Sequence, residues 1–345
     1  MQINSYNSQK IKVLNLILIL MVVYIHSYYL EAESNHPLAL GIQLMCSGYG
    51  LSCVANSLFF LFSGLLFFNG IESVKDCFPK IKKRIRSLLV PYIIWNVIFV
   101  IWYMVLQNLP YIGVLIKDDM LCRVFQPNIF ASLYELFWIP ANFPLWFLRD
   151  LMIMVAVSPL LYFVIKYIKW FAPLLFVLVS PFVALHISPF FLLGGCVAMH
   201  SSLEEISEKL IGGEKTFVAA AIYLGYSVVQ IWMKEHHPYV SFVVCLCGII
   251  TIWELYDWIE SKLLLKSKLS SLKFALGYSF FIYLFHEPAF NIIKKLGLKV
   301  LGVHEWSLIL LYLINPLIMC AIAIMVAKLL QRFTPKMYSI LVGGR

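Results

Sequence analysis

The sequence predicts an all-α polytopic membrane protein of about ten transmembrane helices, with N-terminus and C-terminus both cytosolic. Three observations predict it. Hydrophobic residues make up 61% of the 345-residue chain and charged residues only 13%, against about 25% charged in soluble domains. Apolar runs recur along the whole length, many of them long enough for a hydrocarbon core ~30 Å thick. The basic residues gather at the ends of those runs, which is the pattern of the positive-inside rule. The formal net charge of +9 therefore reads as orientation and contact with membrane lipid, and no nucleic-acid partner is expected. No soluble stretch is long enough for a separate domain, so 1–345 reads as a single membrane domain.

The expected spans follow in order. The first, 13–30, holds LILILMVVYIHSYYL (16–30); no small-residue cleavage site follows it, so it reads as a retained span rather than a signal peptide. The second, 51–70, carries SLFFLFSGLLFF. The third, 88–107, follows the basic run KIKKRIR at 80–86, and the fourth, 145–165, opens with PLWFLRDLMIM. The fifth, 170–187, and the sixth, 188–200, meet at Ser188-Pro189, a tight turn. The sixth is short, and its Gly194-Gly195 pair predicts close helix packing or a break. The seventh and eighth, 216–233 and 239–258, are apolar runs without marked motifs. The ninth, 274–293, carries His-Glu-Pro at 286–288, and the tenth is 307–330. With the N-terminus inside, most of the 27 Lys and Arg fall on inner segments. Lys117, Arg123, Lys234, Lys294, Lys295 and Lys299 fall outside, so the 294–306 loop is the main exception.

Two histidines are candidates for chemistry. His26 lies fourteen residues beyond Lys12, roughly 21 Å of helix. His286 lies twelve residues beyond Phe274, roughly 18 Å. An ionisable group inside a span is costly and marks a functional candidate. Imidazole titrates near pH ~6.5 in water, which suits a general base. The alternative for each is a structural hydrogen bond between helices. Glu287 and Pro288 follow His286 directly; the proline loosens the helix, frees a carbonyl and favours a kink.

Further polar groups have two readings each. The 80–86 cluster is either an anchor on anionic headgroups or a clamp for the phosphates of a cytosolic ligand. Arg149 and Asp150, beside Trp146, are either interfacial residues or polar contacts facing a central cavity. The eight cysteines are scattered and read as buried apolar groups; Cys46 and Cys53 could approach each other at the outer face. There is no CxxC or Cys/His metal spacing, so no metal site is expected, and no Walker loop, GxGxxG or internal repeat is present.

Taken in order, these fragments resemble the integral-membrane acyltransferase-3 family, which includes bacterial surface-glycan O-acetyltransferases. The matching stretches are LMVVYIH (20–26), SLFFLFSGLLFF (57–68) with Ser63-Gly64, KKRIRSLLVPYIIW (82–95), PLWFL (144–148), FFLLGG (190–195) and YSFFIYLFHEP (278–288). The family usually carries an arginine eleven residues before the first-span histidine. Here that position is Asn15, and Lys12 is the nearest charge. The resemblance implies a multi-pass protein of the bacterial inner membrane that moves an acyl group from cytosolic acyl-CoA, most simply acetyl-CoA, to a hydroxyl of a cell-envelope glycan or lipid-linked sugar. Acyl-CoA would be a co-substrate, with no resident cofactor. It implies His26 as general base, or as the site of an acyl-histidine intermediate, and His286 as a group that polarises the carbonyl or orients the acceptor. Lys12, Asn15, Lys83, Arg84 and Arg86 would meet the donor, and Ser63, Trp146, Arg149, Asp150 and Glu287 the substrates. The alternative is a transporter or flippase of a small polar solute or lipid-linked sugar, since transporters also carry Pro-interrupted helices. A third reading is an enzyme-like scaffold without activity, prompted by Asn15.

Overall fold

The computed structural model describes residues 3–33, 35–109, 124–179, 188–210, 212–233, 237–263 and 275–344. Among them every regular element is helical. Lys117, Arg123, Lys234 and the end of the fifth expected span lie outside the described residues.

In chain order the α-helices are α1 (Ser5–His26), α2 (Pro37–Cys46), α3 (Cys53–Phe68), α4 (Cys77–Arg84) and α5 (Val90–Gln107). Next come α6 (Ile129–Leu133), α7 (Trp146–Ala156), α8 (Ser158–Ile168), α9 (Phe171–Val179) and α10 (Pro189–His200). The rest are α11 (Leu203–Leu210), α12 (Gly213–Met233), α13 (Pro238–Leu263), α14 (Ser279–Leu301), α15 (Glu305–Phe333) and α16 (Pro335–Leu341). A π-helical turn, Ile85–Leu89, joins α4 to α5. On α5 the large apolar residues Ile93, Val97, Ile101 and Met104 remain exposed at helical spacing, as befits a face turned to lipid.

Among the described residues five helical stretches are long and apolar enough to cross a membrane: Ser5–His26, Val74–Gln107, Gly213–Met233, Tyr239–Lys262 and Glu305–Phe333. Two bent pairs raise the number to seven, Ile129–Trp138 with Phe143–Ala156 at 80° and Ser158–Ile168 with Phe171–Val179 at 119°. Length and composition of the described helices thus establish five to seven spans of the ten expected, with Pro37–Cys46, Cys53–Phe68 and Pro189–His200 as shorter apolar helices. α3 has 16 residues and α10 has 12, about 24 Å and 18 Å of helix. The fourth expected span, 145–165, is interrupted after Ala156, where α8 begins with Pro159 in its first turn; proline is tolerated there but cannot continue a preceding helix.

The short helices compensate by packing closely. α3 and α10 make the most extensive contact between two helices. A Cβ on Gly64 would fall 2.0 Å from the Phe191 carbonyl oxygen, and one on Gly194 would fall 2.0 Å from that of Leu61. Only glycine permits that approach, so the expected packing role of Gly194 holds.

α1 begins and ends earlier than the expected 13–30 span, and it is fastened at both ends. Near its start Lys10, only 1% exposed, donates to Asp257 at 2.6 Å and lies 3.8 Å from the centre of the Trp253 ring. Asn4 and Asn7 both donate to Glu204 of α11, at 2.6 and 2.8 Å. At its end the Lys294 ammonium donates to the backbone carbonyls of His26 and Tyr28. A cation on the final carbonyls of a helix satisfies orphan acceptors and complements the dipole. The 294–306 segment is thus not an outer loop, since α14 continues through Lys294, Lys295 and Lys299 to Leu301 and is stopped by Gly302 at φ 73°.

Candidate active site

His26 is the last residue of α1, so its ring projects from a fixed helix end. Its ring centre lies 5.1 Å from that of His286. Its Nδ1 lies 3.9 Å from Oε1 of Glu287. Two helices far apart in sequence therefore bring together the three residues predicted from the apolar runs.

The local chemistry of α14 explains the placement of the second histidine. Glu287 has φ −93° and ψ 135°, an extended conformation inside the helix. The residue before a proline is driven out of the α region by the pyrrolidine ring, so Pro288 produces the break that the sequence predicts. Pro288 has no N–H, so it leaves the Leu284 carbonyl without its helical donor, and Asn142 Nδ2 lies 3.5 Å from that oxygen. His286 Nδ1 lies 2.8 Å from the Tyr283 carbonyl oxygen and 3.3 Å from that of Ile282. A carbonyl only accepts, so Nδ1 of His286 carries the hydrogen and Nε2 presents a lone pair. That Nε2 is buried and has no protein partner among the described residues. A neutral His286 in this tautomer accepts but does not donate, which opposes polarising a carbonyl; it is fully buried, and neither it nor Glu287 lines any of the three chambers described below. Glu287 is held in turn by Asn291 Nδ2 at 3.1 Å.

Three chambers lie in series along the molecule. The first, about 1060 Å³, is lined by Lys80, Lys82, Lys83, Arg84 and Arg86 and by the C-terminal Gly343 and Gly344. Arg84 and Leu66 also line the second, about 190 Å³, with Asn15 and Ser63. The second shares Val22, Asn56, Phe147 and Tyr283 with the third, about 690 Å³, which contains His26 and Trp146. Asn15, Ser63, Lys83, Arg84, Arg86, Trp146 and His26 thus line three neighbouring chambers that share wall residues. Arg84 supplies the cation in the chamber where Asn15 supplies none.

Other expected residues fall elsewhere. Lys12 is exposed and lines none of the three chambers. Lys80 spends its ammonium on the Phe67 and Asn69 carbonyls, at 2.7 and 2.5 Å, closing the end of α3. Arg149 binds Asp150 at 2.7 Å, donates to the Trp138 carbonyl and lies over the Trp138 ring. The Arg149-Asp150 pair therefore pins the bent connection to α7 and lines none of the three chambers. Cys46 and Cys53 are free thiols, and Cys53 instead receives the Cys245 thiol at its carbonyl oxygen, 3.5 Å away.

The structure adds residues that sequence reasoning missed. Asn56 lines both the second and third chambers; its only signal is a lone amide in the apolar run CVANSLFF. Lys294 had a clear signal, as a cation on the side where the charge rule expects few. Tyr28 and Glu33, hydrogen-bonded at 3.0 Å, stand with Tyr49 in the third chamber, and nothing in their spacing announces it.

The chain is similar to the succinoglycan biosynthesis protein ExoH of Rhizobium meliloti (strain 1021), with 24% identity over 351 residues, 98% of this chain and 92% of the relative. No solved structure matches it. The acyltransferase-3 family, described as an acyltransferase domain, matches residues 9–328, which hold both histidines, Glu287 and every chamber-lining residue except Ser339, Gly343 and Gly344, and the chain belongs to that family.

Proposed function

We propose that the protein transfers an acyl group, acetyl in the simplest case, from acyl-CoA to a hydroxyl of a cell-envelope polysaccharide or lipid-linked sugar. The observation that carries this reading is the row of neighbouring chambers that share wall residues, with Lys82, Lys83, Arg84 and Arg86 at one end and His26 at the other. Phosphates are recognised by Lys and Arg, and a long thin pantetheine arm suits a narrow connecting chamber. The similarity to a protein named for succinoglycan biosynthesis supports a glycan acceptor. In this reading the basic end and both termini face the cytosol, the third chamber opens to the other side, and the membrane is the bacterial inner membrane.

The chemistry follows from the side chains. Glu287, 3.9 Å from Nδ1, favours the His26 tautomer with hydrogen on Nδ1 and leaves Nε2 as the base. Nε2 removes the acceptor proton while the oxygen attacks the thioester carbon. The carbon–sulfur bond then breaks, and the thiolate leaves with its electron pair and takes up the proton. A thiol has a pKa of ~8.5, so thiolate leaves far more readily than an alkoxide. His286, fully buried with its ring centre 5.1 Å from that of His26, packs behind the base and holds its ring in place.

The test uses wild-type protein and His26→Ala in nanodiscs with radiolabelled acetyl-CoA and envelope glycan. CoA release and labelled glycan from wild type, and neither from the variant, are the expected result. Wild-type-like turnover by His26→Ala overturns the assignment of the base. Neither donor binding nor turnover by wild type overturns the acyl-transfer reading.

A further inference from the structure

Attack on a thioester builds negative charge on the carbonyl oxygen, and a positioned donor facing that oxygen is a large source of rate. The polar groups around the histidine pair are mostly engaged. The Nδ1 hydrogen of His286 is given to the Tyr283 carbonyl. The Tyr283 hydroxyl donates to the Pro144 carbonyl at 2.6 Å. Lys294 is held by the His26 and Tyr28 carbonyls, and Arg149 by Asp150 and the Trp138 carbonyl. His26 must keep Nε2 free as a base.

Four residues line both the second and the third chamber: Val22, Asn56, Phe147 and Tyr283. In the proposed reaction donor and acceptor approach from these two chambers, so a residue common to both walls is placed to face the reacting centre. Val22 and Phe147 have no polar side-chain atom, and Tyr283 is engaged. The Asn56 amide makes no hydrogen bond to any described residue, so both of its N–H groups are available. Ser63 lines only the second chamber and Trp146 only the third. Asn56 is also carried on α3, whose position is fixed by the glycine-mediated contact with α10, and a donor on a rigid element pays little reorganisation.

Resting on the acyl-transfer reading, we propose that Asn56 is a further catalytic residue, whose side-chain N–H binds the thioester carbonyl oxygen and stabilises the oxyanion. As the acceptor oxygen bonds to the carbonyl carbon, the π electrons move onto this oxygen and Asn56 holds the charge there. On collapse the electrons return, the carbon–sulfur bond breaks, and the hydrogen bond relaxes to that of a neutral carbonyl.

Two variants test it. Asn56→Asp keeps the shape and loses both donors, and Asn56→Leu suits an apolar wall if the acid folds poorly. Each lowers kcat by ~10²–10³-fold while KM for acetyl-CoA stays within a few-fold. The second readout is the infrared carbonyl stretch of bound 13C-carbonyl acetyl-CoA in a His26→Ala background, where turnover is blocked. That stretch is lower with Asn56 than with Asp or Leu at the position. Undiminished kcat in both variants, or a lowered kcat with an unmoved carbonyl stretch, overturns the assignment. If His26→Ala turns over like wild type while the Asn56 variants fail as described, the base assignment falls and that of Asn56 stands. Wild type that neither binds nor turns over acetyl-CoA overturns both.

Discussion

In the proposed reaction His26 acts from a position that other residues define. Its backbone carbonyl is bound by Lys294, its ring faces Glu287, and its own helix is anchored sixteen residues earlier by the Lys10–Asp257 pair. Lys294 therefore serves as a positioning residue. Lys294→Met is expected to lower kcat by ~10–100-fold, the range that a 1 Å misplacement can produce, with KM for acyl-CoA unchanged and with Lys294→Arg retaining part of the rate. Steady-state kinetics of the three proteins check it; a change confined to KM contradicts it. Within the basic cluster the residues divide. Lys80→Met is expected to destabilise the protein by about 1–2 kcal/mol, because two backbone carbonyls lose a charged donor, with KM for acyl-CoA unaltered. Replacing Lys83, Arg84 and Arg86 together by Gln is expected to do the reverse, raising KM for acyl-CoA more than that for the acceptor. Thermal unfolding in detergent and two-substrate kinetics separate the two outcomes. At this scale the sequence was most legible where a residue contradicted its surroundings. His26, His286 and Glu287 interrupt apolar runs, and Lys294 breaks the charge rule. Asn56 is a small neutral amide whose value depends on two chambers meeting beside it, and no pattern along one chain encodes that meeting.

Helix α14 shows what an element contributes beyond its residues. Pro288 forces Glu287 into an extended conformation and leaves the Leu284 carbonyl to the Asn142 amide, while the Tyr283 carbonyl of the intact turn sets the His286 tautomer. Pro288→Ala is expected to let the helix close, to offer the Leu284 carbonyl a backbone N–H in place of the Asn142 amide, to draw Glu287 back into the helix away from His26, and so to lower kcat while raising thermal stability; a helix-interior proline costs ~3 kcal/mol. Parallel measurement of turnover and melting decides it, and a loss of both stability and rate runs against it. The α3–α10 pair depends on the missing Cβ atoms of Gly64 and Gly194. Gly64→Ala is expected to cost about 1–3 kcal/mol or more through a backbone clash. Gly225→Ala, with nothing within 4 Å of its Cβ, is expected to be neutral or slightly stabilising, and the two melting temperatures make the comparison. The break at Glu287 and the glycine contact were legible, because proline and glycine act through local backbone sterics. The bends at 80° and 119° and the early end of α1 were not. Hydropathy averages over a window and is insensitive to where a helix turns, and α1 ends where Lys294, from a distant helix, supplies donors to its last carbonyls.

For the whole molecule the governing feature is polarity between its two ends. Cationic side chains and the C-terminal glycines surround one chamber, and aromatic rings with Glu33 and His26 surround the other. An aromatic face and a carboxylate are a natural pairing for a hydroxyl-rich acceptor, and a cluster of Lys and Arg is natural for a phosphorylated donor. The reaction is therefore expected to be vectorial, with donor and acceptor reaching the histidine pair from opposite faces of the membrane. Inverted vesicles, which expose the basic end if it is cytosolic, are expected to consume acetyl-CoA added outside and to acylate acceptor trapped within. Right-side-out vesicles are expected to do neither until the membrane is permeabilised. Filling the connecting chamber should uncouple the ends. Ser63→Trp places an indole in the space of about 190 Å³ between them, and it is expected to abolish CoA release while the basic chamber still binds CoA itself. Equal turnover in both vesicle orientations would mean that both substrates enter from one face, and the chamber series would then be a packing feature rather than a route. Retained turnover in Ser63→Trp would carry the same meaning by an independent measurement, since a thioester cannot reach His26 from the basic end through a space already occupied.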